Sequence, residues 1–220
     1  LVFGIPGQTW PEARSDIDRA IELRPTHMSL YDLTYSSEYE GWVDGTVGAE
    51  ARQAAGAMAE EHYAEAVGRL EAAGYRRYEV SNFALAGHEC RHNQAYWRGE
   101  DYLGVGASAV STMAGERRTN PRSVIGFLAG EAPEVEVLDA FTRLWEKAML
   151  GLRTTEGVDE RVVMPVLDRD ALERLEAQEC VQRRCGRLRL NPAFLDVSNA
   201  VIATLLAPPE APPEASEPMR

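Results

Sequence analysis

Cysteine is scarce in this sequence. The 220 residues include three cysteines, Cys90, Cys180 and Cys185. An odd number without regular spacing is typical of reduced thiols and not of a disulfide framework. Cys180 and Cys185 are five residues apart, which matches no common zinc or iron–sulfur spacing. We therefore interpret all three as structural residues and do not expect them to hold a metal cluster.

Long apolar runs are also missing. None approaches the roughly 20 residues of a membrane-spanning helix. Residues 1–7 have neither the basic lead nor the small-residue cleavage site of a signal peptide. These observations predict a cytoplasmic protein without a transmembrane segment. Because an apolar, strand-like run starts at Leu1, we expect the chain to be the back portion of a longer protein, with an open strand edge that favours self-association.

Basic residues are outnumbered by acidic ones. There are 23 Lys and Arg against 35 Asp and Glu, a formal net charge of −12. A field of this sign repels phosphate, so we do not expect a nucleic-acid partner. Four arginines cluster locally, at Arg183, Arg184, Arg187 and Arg189. The pattern favours the solvated face of a hairpin, and a winged-helix module that binds nucleic acid or protein is the alternative.

The first 35 residues predict a βαβ unit. The apolar run Leu1–Ile5 indicates a strand, and residues 28–35 indicate a second one. Between them, Thr9 and Glu12 have capping-box spacing, and Pro11 fits the first turn of a helix. Because a helix connects the strands, we expect them to be parallel.

The middle of the chain predicts a long helix and less regular segments. Residues 36–48 are polar and glycine-bearing, which predicts a loop. An alanine-rich helix is expected over residues 49–73, with Gly74 as its C-cap. Residues 75–80 predict another strand. In residues 102–113, small apolar residues predict close approach of the backbone.

The last part is predicted to be mainly helical. A small winged-helix-like unit is expected where a helix, a hairpin and another helix follow one another. The predicted elements are helices near 121–129, 138–151 and 168–178, a hairpin over 181–190 that turns at Cys185-Gly186, and a helix over 192–206. The proline- and glutamate-rich tail after Ala207 is predicted to be disordered.

The densest group of chemically useful side chains is His92, Asn93, Tyr96 and Trp97. Imidazole is a good neutral ligand for iron, and Tyr and Trp offer flat apolar faces for a porphyrin. An adjacent Asn can fix the imidazole tautomer. The composition alone favours the alternative, a satisfied core or loop histidine among core aromatics.

A series of motifs reverses this preference and favours His92 as a ligand of iron. The series resembles the HemW-type heme chaperones, relatives of the oxygen-independent coproporphyrinogen III oxidases in the radical S-adenosylmethionine superfamily. The resemblance extends almost to Leu206. In chain order, the motifs are Phe3-Gly4-Ile5-Pro6-Gly7-Gln8-Thr9, Leu30-Tyr31-Asp32-Leu33-Thr34, Tyr78-Glu79-Val80-Ser81-Asn82-Phe83-Ala84, His92-Asn93-x-x-Tyr96-Trp97 and Asp101-Tyr102-Leu103-Gly104-Val105-Gly106.

The resemblance implies an α/β fold. Residues 1–120 would form the last βα units of a partial (β/α)6 TIM-like barrel with the heme-motif extension. Residues 121–206 would form a helical, winged-helix-like C-terminal domain, and residues 207–220 a disordered tail.

The resemblance also implies a function. Proteins of this family bind heme and pass it to acceptor proteins, and His92, Asn93, Tyr96 and Trp97 match the family's proposed heme site, with His92 on the iron. Peripheral contact with membrane-bound acceptors would follow. Thr34 and Val110 match positions that contact S-adenosylmethionine or substrate in the oxidases. Many HemW-like proteins carry a histidine at the position of Val110, and its absence here resembles the oxidases.

The resemblance also implies that the full-length protein binds a [4Fe–4S] cluster and S-adenosylmethionine as well as heme. The cysteines that bind the cluster in this family are absent from the present sequence. We therefore predict no radical chemistry from the chain as given. A fragment of an oxygen-independent coproporphyrinogen III oxidase remains the alternative to the heme chaperone.

Overall fold

The computed structural model describes residues 1–35 and 37–207 and divides the chain into two compact units. The first unit comprises Leu1–Cys90, and the second begins at Arg91. Both contain helices and strands, which confirms the α/β class. In the part of the chain that is described, no helix has the length and apolarity needed to cross a membrane. The predicted disorder of the tail concerns residues 208–220, which lie outside the described residues.

The first unit contains three helices and five short strands within its described residues. The helices are α1 (Trp10–Glu22), α2 (Ser37–Val47) and α3 (Ala49–Ala72), and the strands are β1 (Val2–Phe3), β2 (His27–Ser29), β3 (Tyr31–Asp32), β4 (Arg76–Arg77) and β5 (Asn82–Ala84).

The predicted βαβ unit is confirmed. Strands β1 and β3 pair in parallel, with Val2 opposite Tyr31. The N-terminus of α1 has the predicted capping box, in which the backbone N–H of Thr9 donates to Glu12 at 2.8 Å. This bond satisfies one of the donors that a helix start leaves without a partner.

The chain changes sheets at Leu30. Strand β2 belongs to an antiparallel sheet in the order β2-β5-β4, whereas β3 pairs with β1. Leu30 is fully buried between them, and its N–H donates to Ser81 O at 2.9 Å. Its side chain joins the core of the unit. The buried members of that core are Phe3, Ala13, Ile17, Met28, Leu30, Ala59, Ala66, Leu70, Tyr75 and Phe83.

The loop predicted for residues 36–48 is wrong, because α2 occupies Ser37–Val47. Glycine at 41 and 45 disfavours a helix by about 1 kcal/mol each. Tertiary contacts offset this: Val43 is buried, and Asp44 accepts a bond from Arg52 of α3 at 2.6 Å. The end predicted for α3 is correct, since Gly74 follows it with a φ of +93°.

The second unit is also a mixture of helices and strands. Its helices are α4 (Arg91–Trp97), α5 (Val124–Leu128), α6 (Ala140–Gly151), α7 (Glu160–Val163), α8 (Arg169–Ala177) and α9 (Ser198–Leu205), with short 3-10 helices at Met164–Val166 and Pro192–Val197. Its strands are β6 (Val110–Met113), β7 (Glu116–Thr119), β8 (Glu134–Val137), β9 (Val158–Asp159), β10 (Val181–Arg184) and β11 (Arg187–Leu190).

The described residues of the second unit form two antiparallel sheets. One has the order β6-β7-β8, and the other has the order β10-β11-β9. The predicted hairpin is confirmed, with a turn at Cys185 and Gly186, which both have positive φ. Helix α8 packs against β10 and against α9, and Leu172, Leu188 and Leu205 of these elements and of β11 are fully or nearly fully buried.

Candidate functional site

The predicted heme motif lies on α4, the first helix of the second unit. No side chain of this helix is buried. His92 is exposed, Tyr96 is 38% exposed, and Asn93 and Trp97 are half-buried. The alternative of a core histidine is therefore excluded, because the imidazole of His92 faces solvent.

An aromatic row begins at this imidazole. The rings of His92 and Tyr96 meet edge to face, with centroids 4.9 Å apart. The ring of Tyr96 in turn lies 4.4 Å from that of Tyr102. The spacing of His92 and Tyr96, four residues apart, brings their side chains together on one face of the helix. Tyr102 comes from the segment before β6, so the row continues beyond the motif.

Glycines allow α4 to pack closely on α6. A Cβ on Gly151 of α6 would lie 3.8 Å from Trp97 O and 2.4 Å from a methyl carbon of Val158. A Cβ on Gly99, which follows α4, would lie 3.8 Å from the Cβ of Lys147. Gly99 also has a φ of +65°, which glycine adopts without strain. The motif helix is therefore held at a defined position against α6.

Two cavities border α4. The first, here called the His92 cavity, has a volume of about 560 Å³ and is lined by Arg91, His92, Gln94, Ala95, Arg98 and Glu100. The second, here called the α6 groove, has a volume of about 650 Å³. The groove runs between the α4–β6 segment and α6. Its lining residues are Tyr96, Gly99, Glu100, Asp101, Tyr102, Thr112, Ala114, Gly115, Arg117, Leu138, Ala140, Arg143, Leu144, Glu146, Lys147, Met149, Leu150 and Val162.

Most acidic groups of the α6 groove already have partners. Glu146 accepts two bonds from Arg117, the shorter at 2.6 Å, and this pairing raises the pKa of the Arg117 guanidinium. Asp101 accepts the backbone N–H of Ala114 at 3.0 Å. Glu100 lies 3.9 Å from Arg98. These contacts offset much of the negative charge of the carboxylates, so the groove is not strongly negative.

The two positions matched to the oxidases lie in different units. Thr34 is exposed and comes shortly after β3 in the first unit. Val110 is half-buried at the start of β6 in the second unit. The close backbone approach expected in residues 102–113 from Gly104 and Gly106 is confirmed at Gly104, where a Cβ would lie 2.2 Å from Val110 O, and is wrong at Gly106, where a Cβ would meet nothing within 4 Å. Gly104 N–H also donates to Ser111 Oγ at 3.0 Å.

Two of the four arginines of the C-terminal hairpin, Arg183 and Arg187, form ion pairs. Arg183 pairs with both Glu160 and Glu176. Arg187 donates to Gly157 O at 2.6 Å and pairs with Glu156. Such pairing neutralises much of the basic cluster, as expected for a hairpin face and not for a phosphate-binding surface.

A buried carboxyl in the first unit was missed by the sequence reasoning. Glu79 is fully buried, and burial raises the pKa of its carboxyl. One of its oxygens accepts the N–H of Ser81 at 3.2 Å, while the other has no hydrogen-bond partner. The signal for it in the sequence is the position of Glu79 within the motif that begins at Tyr78, directly before Val80 and the polar pair Ser81-Asn82.

The cysteines do not form a metal site. Cys90 is half-buried, Cys180 is buried and Cys185 is exposed, and all are free. Within residues 1–35 and 37–207, no three His, Cys, Asp or Glu side chains are grouped so that they can hold a metal ion. These residues therefore do not fit a [4Fe–4S] cluster.

Comparisons with known proteins identify the relatives. The heme chaperone HemW of Lactococcus lactis is 35% identical over 169 residues, 72% of this chain and 42% of that protein. HemW of Escherichia coli is 32% identical over 212 residues, 87% of this chain and 54% of that protein. HemW of Mycobacterium tuberculosis is 30% identical over 219 residues, 94% of this chain and 54% of that protein. The chain is a homologue of the HemW heme chaperones.

The match to HemW covers part of the relatives only. The chain spans about half the length of the curated HemW proteins it matches and corresponds to a C-terminal portion of them. No protein-family model matches it. Among solved structures, the coproporphyrinogen III oxidase HemN of Escherichia coli, described as a radical SAM enzyme, superposes with a TM-score of 0.70 at 16% identity, over 93% of this chain and 53% of that one. That likeness shows the fold alone.

Proposed function

We propose that this chain is the heme-binding portion of a HemW-like heme chaperone, which binds heme and transfers it to an acceptor protein. The observation that carries the proposal is the exposed imidazole of His92 at the edge of a cavity, within the motif that resembles the proposed heme site of the family. In this proposal heme is the cargo, and the chain's task is to hold and release it.

The side chains of α4 have distinct roles in the proposed site. His92 is the axial ligand of the heme iron, because its imidazole faces solvent beside the His92 cavity. Tyr96 and Trp97 provide aromatic surface for the macrocycle. Asn93, half-buried next to His92, orients the imidazole. Because these side chains lie at the surface, heme bound there remains accessible to an acceptor.

The remaining elements of the proposal concern the full-length protein. There, a [4Fe–4S] cluster and S-adenosylmethionine accompany heme, and Thr34 and Val110 contact S-adenosylmethionine or substrate. The protein acts in the cytoplasm, with peripheral contact to membrane-bound acceptors. Residues 1–120 complete a partial barrel, and residues 121–206 form a winged-helix-like domain built on the hairpin β10–β11 with helices α8 and α9.

A coproporphyrinogen III oxidase fragment is the second candidate. Val110, where many HemW-like proteins have histidine, favours it. The 16% identity to HemN adds no support for the activity. Oxidative decarboxylation by the cluster-loaded full-length protein would support this candidate over the chaperone.

Heme titration of the purified chain tests the proposed function. We expect a Soret band that saturates at one heme per chain and that shifts and weakens in His92→Ala. His88→Ala is the matched control, since His88 is also exposed and lies only four residues earlier. Equal spectra and affinities for the wild type and His92→Ala would rule out this axial ligand. A wild-type chain that does not bind heme would refute the function.

A further inference from the structure

The α6 groove carries two cations that the heme motif does not include. Arg143 and Lys147 both lie on α6, are exposed and line the groove. They are four residues apart, so their side chains leave the same face of the helix about 6 Å from each other. Among residues 1–35 and 37–207, neither forms an ion pair within 4.0 Å.

Heme has chemistry that matches such a pair. Its two propionates are carboxylates on one edge of the macrocycle, and the rest of the ring is flat and apolar. We propose that Arg143 and Lys147 bind the two propionates of the heme whose iron is bound by His92, and that the adjoining rings of Tyr96 and Tyr102 form one aromatic surface against which the macrocycle lies. This inference rests on the proposed function and specifies how the same ligand is held.

The aromatic row connects the proposed iron ligand with the groove. Tyr96 touches His92 and also lines the groove, and Tyr102 continues the same row. Lys147 lies beside Gly99, seven residues after His92. From His92 to Trp97, where α4 ends, a rise of about 1.5 Å per residue gives roughly 8 Å along the helix axis. The distance from the iron of heme to an extended propionate carboxylate is of that order.

The charges of the groove favour a dianion. Glu146 is neutralised by Arg117, and Asp101 is bonded to a backbone N–H. Asp139, the N-cap of α6, accepts the N–H of Thr142 at 2.7 Å, and this bond and, to a smaller extent, the charge of Arg143 hold the pKa of its carboxyl below the ordinary value. The cations at 143 and 147 therefore remain available for incoming carboxylates, with which charge-assisted hydrogen bonds are strong.

The shape and lining of the groove suit the rest of the ligand. Its volume of about 650 Å³ lies in the range of about 300–1,000 Å³ for small-molecule sites. Leu138, Leu144, Met149 and Leu150 provide apolar walls opposite the two tyrosines. A flat ring with carboxylates on one edge thus meets apolar surface along its body and cations at its end.

The test compares heme with its dimethyl ester, in which both propionates are uncharged. Affinities are measured by Soret titration at one fixed detergent concentration for the wild type and for Arg143→Gln/Lys147→Gln. We expect the double variant to bind heme about tenfold more weakly and to bind the ester like the wild type. Raising the ionic strength should weaken heme binding by the wild type more than by the variant.

A matched control removes two cations elsewhere. Arg169→Gln/Arg174→Gln changes the net charge equally on α8, where neither residue lines the groove. It should bind heme like the wild type. Circular dichroism melts establish that both double variants are folded.

Each other outcome has a defined meaning. Any of four results overturns the propionate assignment. Two concern the Arg143→Gln/Lys147→Gln variant: an unchanged affinity for heme, or an equal loss of affinity for heme and for the ester. The other two are equal binding of heme and ester by the wild type, and an equal loss of heme affinity in the Arg169→Gln/Arg174→Gln control. A wild-type chain that binds neither heme nor the ester instead refutes the proposed function itself. The two failures are thus distinguishable.

Discussion

The imidazole of His92 lies edge to face against the phenol ring of Tyr96, with ring centroids 4.9 Å apart and planes inclined by 64°. This contact joins an exposed histidine, a residue type that can bind metal, to a partly exposed tyrosine. Tyr96 can therefore act on a bound macrocycle in two ways, through its own face and through the orientation it gives to His92.

Replacing Tyr96 by leucine should weaken heme binding. An aromatic contact contributes about 0.5–1.5 kcal/mol beyond area burial, which corresponds to an affinity loss of roughly 2- to 12-fold. Tyr96→Phe keeps the ring and should bind like the wild type. Soret titration measures both. Tyr39→Leu, which removes an exposed tyrosine of the first unit, is the control. Equal binding by Tyr96→Leu and the wild type would show that this ring does not contact heme.

Two glycine substitutions should change stability in opposite directions. In Gly104→Ala the new Cβ would lie 2.2 Å from Val110 O, so the backbone must move, at a cost of about 1–3 kcal/mol. In Gly56→Ala the Cβ meets nothing within 4 Å inside α3, and alanine should stabilise the helix by about 0.5–1 kcal/mol. Urea unfolding measures both. A Gly104→Ala variant as stable as the wild type would contradict the close approach at β6.

Sequence reasoning located the elements that local chemistry determines. The capping box at Thr9, the glycine after α3 and the turn at Cys185-Gly186 are short-range signals, and each is confirmed. By contrast, α2 depends on the burial of Val43 and on the pairing of Asp44 with Arg52, which local propensity does not encode. Strands β8 and β9 were missed because their pairing partners lie elsewhere in the chain, whereas β7 was missed although it follows its partner β6 after the turn at Ala114-Gly115.

The difference between local signals and long-range contacts applies to the candidate site as well. The motif from His92 to Trp97 is contiguous, so a resemblance was sufficient to single it out. The α6 groove combines Tyr102, Arg143 and Lys147 from separate segments. Arg143 and Lys147 were not singled out from the sequence, because only the packing of α4 on α6 brings their helix next to Tyr96.

The buried carboxyl of Glu79 should make stability depend on pH. Burial raises the pKa of Glu79 above its ordinary value of 4.5, so the folded state binds the proton more tightly than the unfolded state. This contribution to stability is complete below pH 4.5 and is lost as the pH rises through the raised pKa. In Glu79→Gln it disappears, so the melting temperature of the variant relative to the wild type should increase from pH 4.5 to pH 7.

Thermal melts at several pH values check this expectation. Glu61→Gln is the control, because it removes an exposed carboxyl of α3 instead of a buried one. If Glu79→Gln and Glu61→Gln behave alike, Glu79 does not titrate as burial requires.

The exposed apolar edge of β1 should drive self-association of the chain. Among the described residues, β1 pairs with β3 alone, and Leu1, Val2 and Ile5 are each 40% exposed or more. An open, apolar strand edge is a template for pairing with another copy. Val2→Lys should weaken the association on the order of tenfold in sedimentation equilibrium, because a charged edge residue opposes strand pairing. Val124→Lys, at another exposed valine, should leave it unchanged. A wild-type chain that is monomeric and melts cooperatively would show that this edge does not associate.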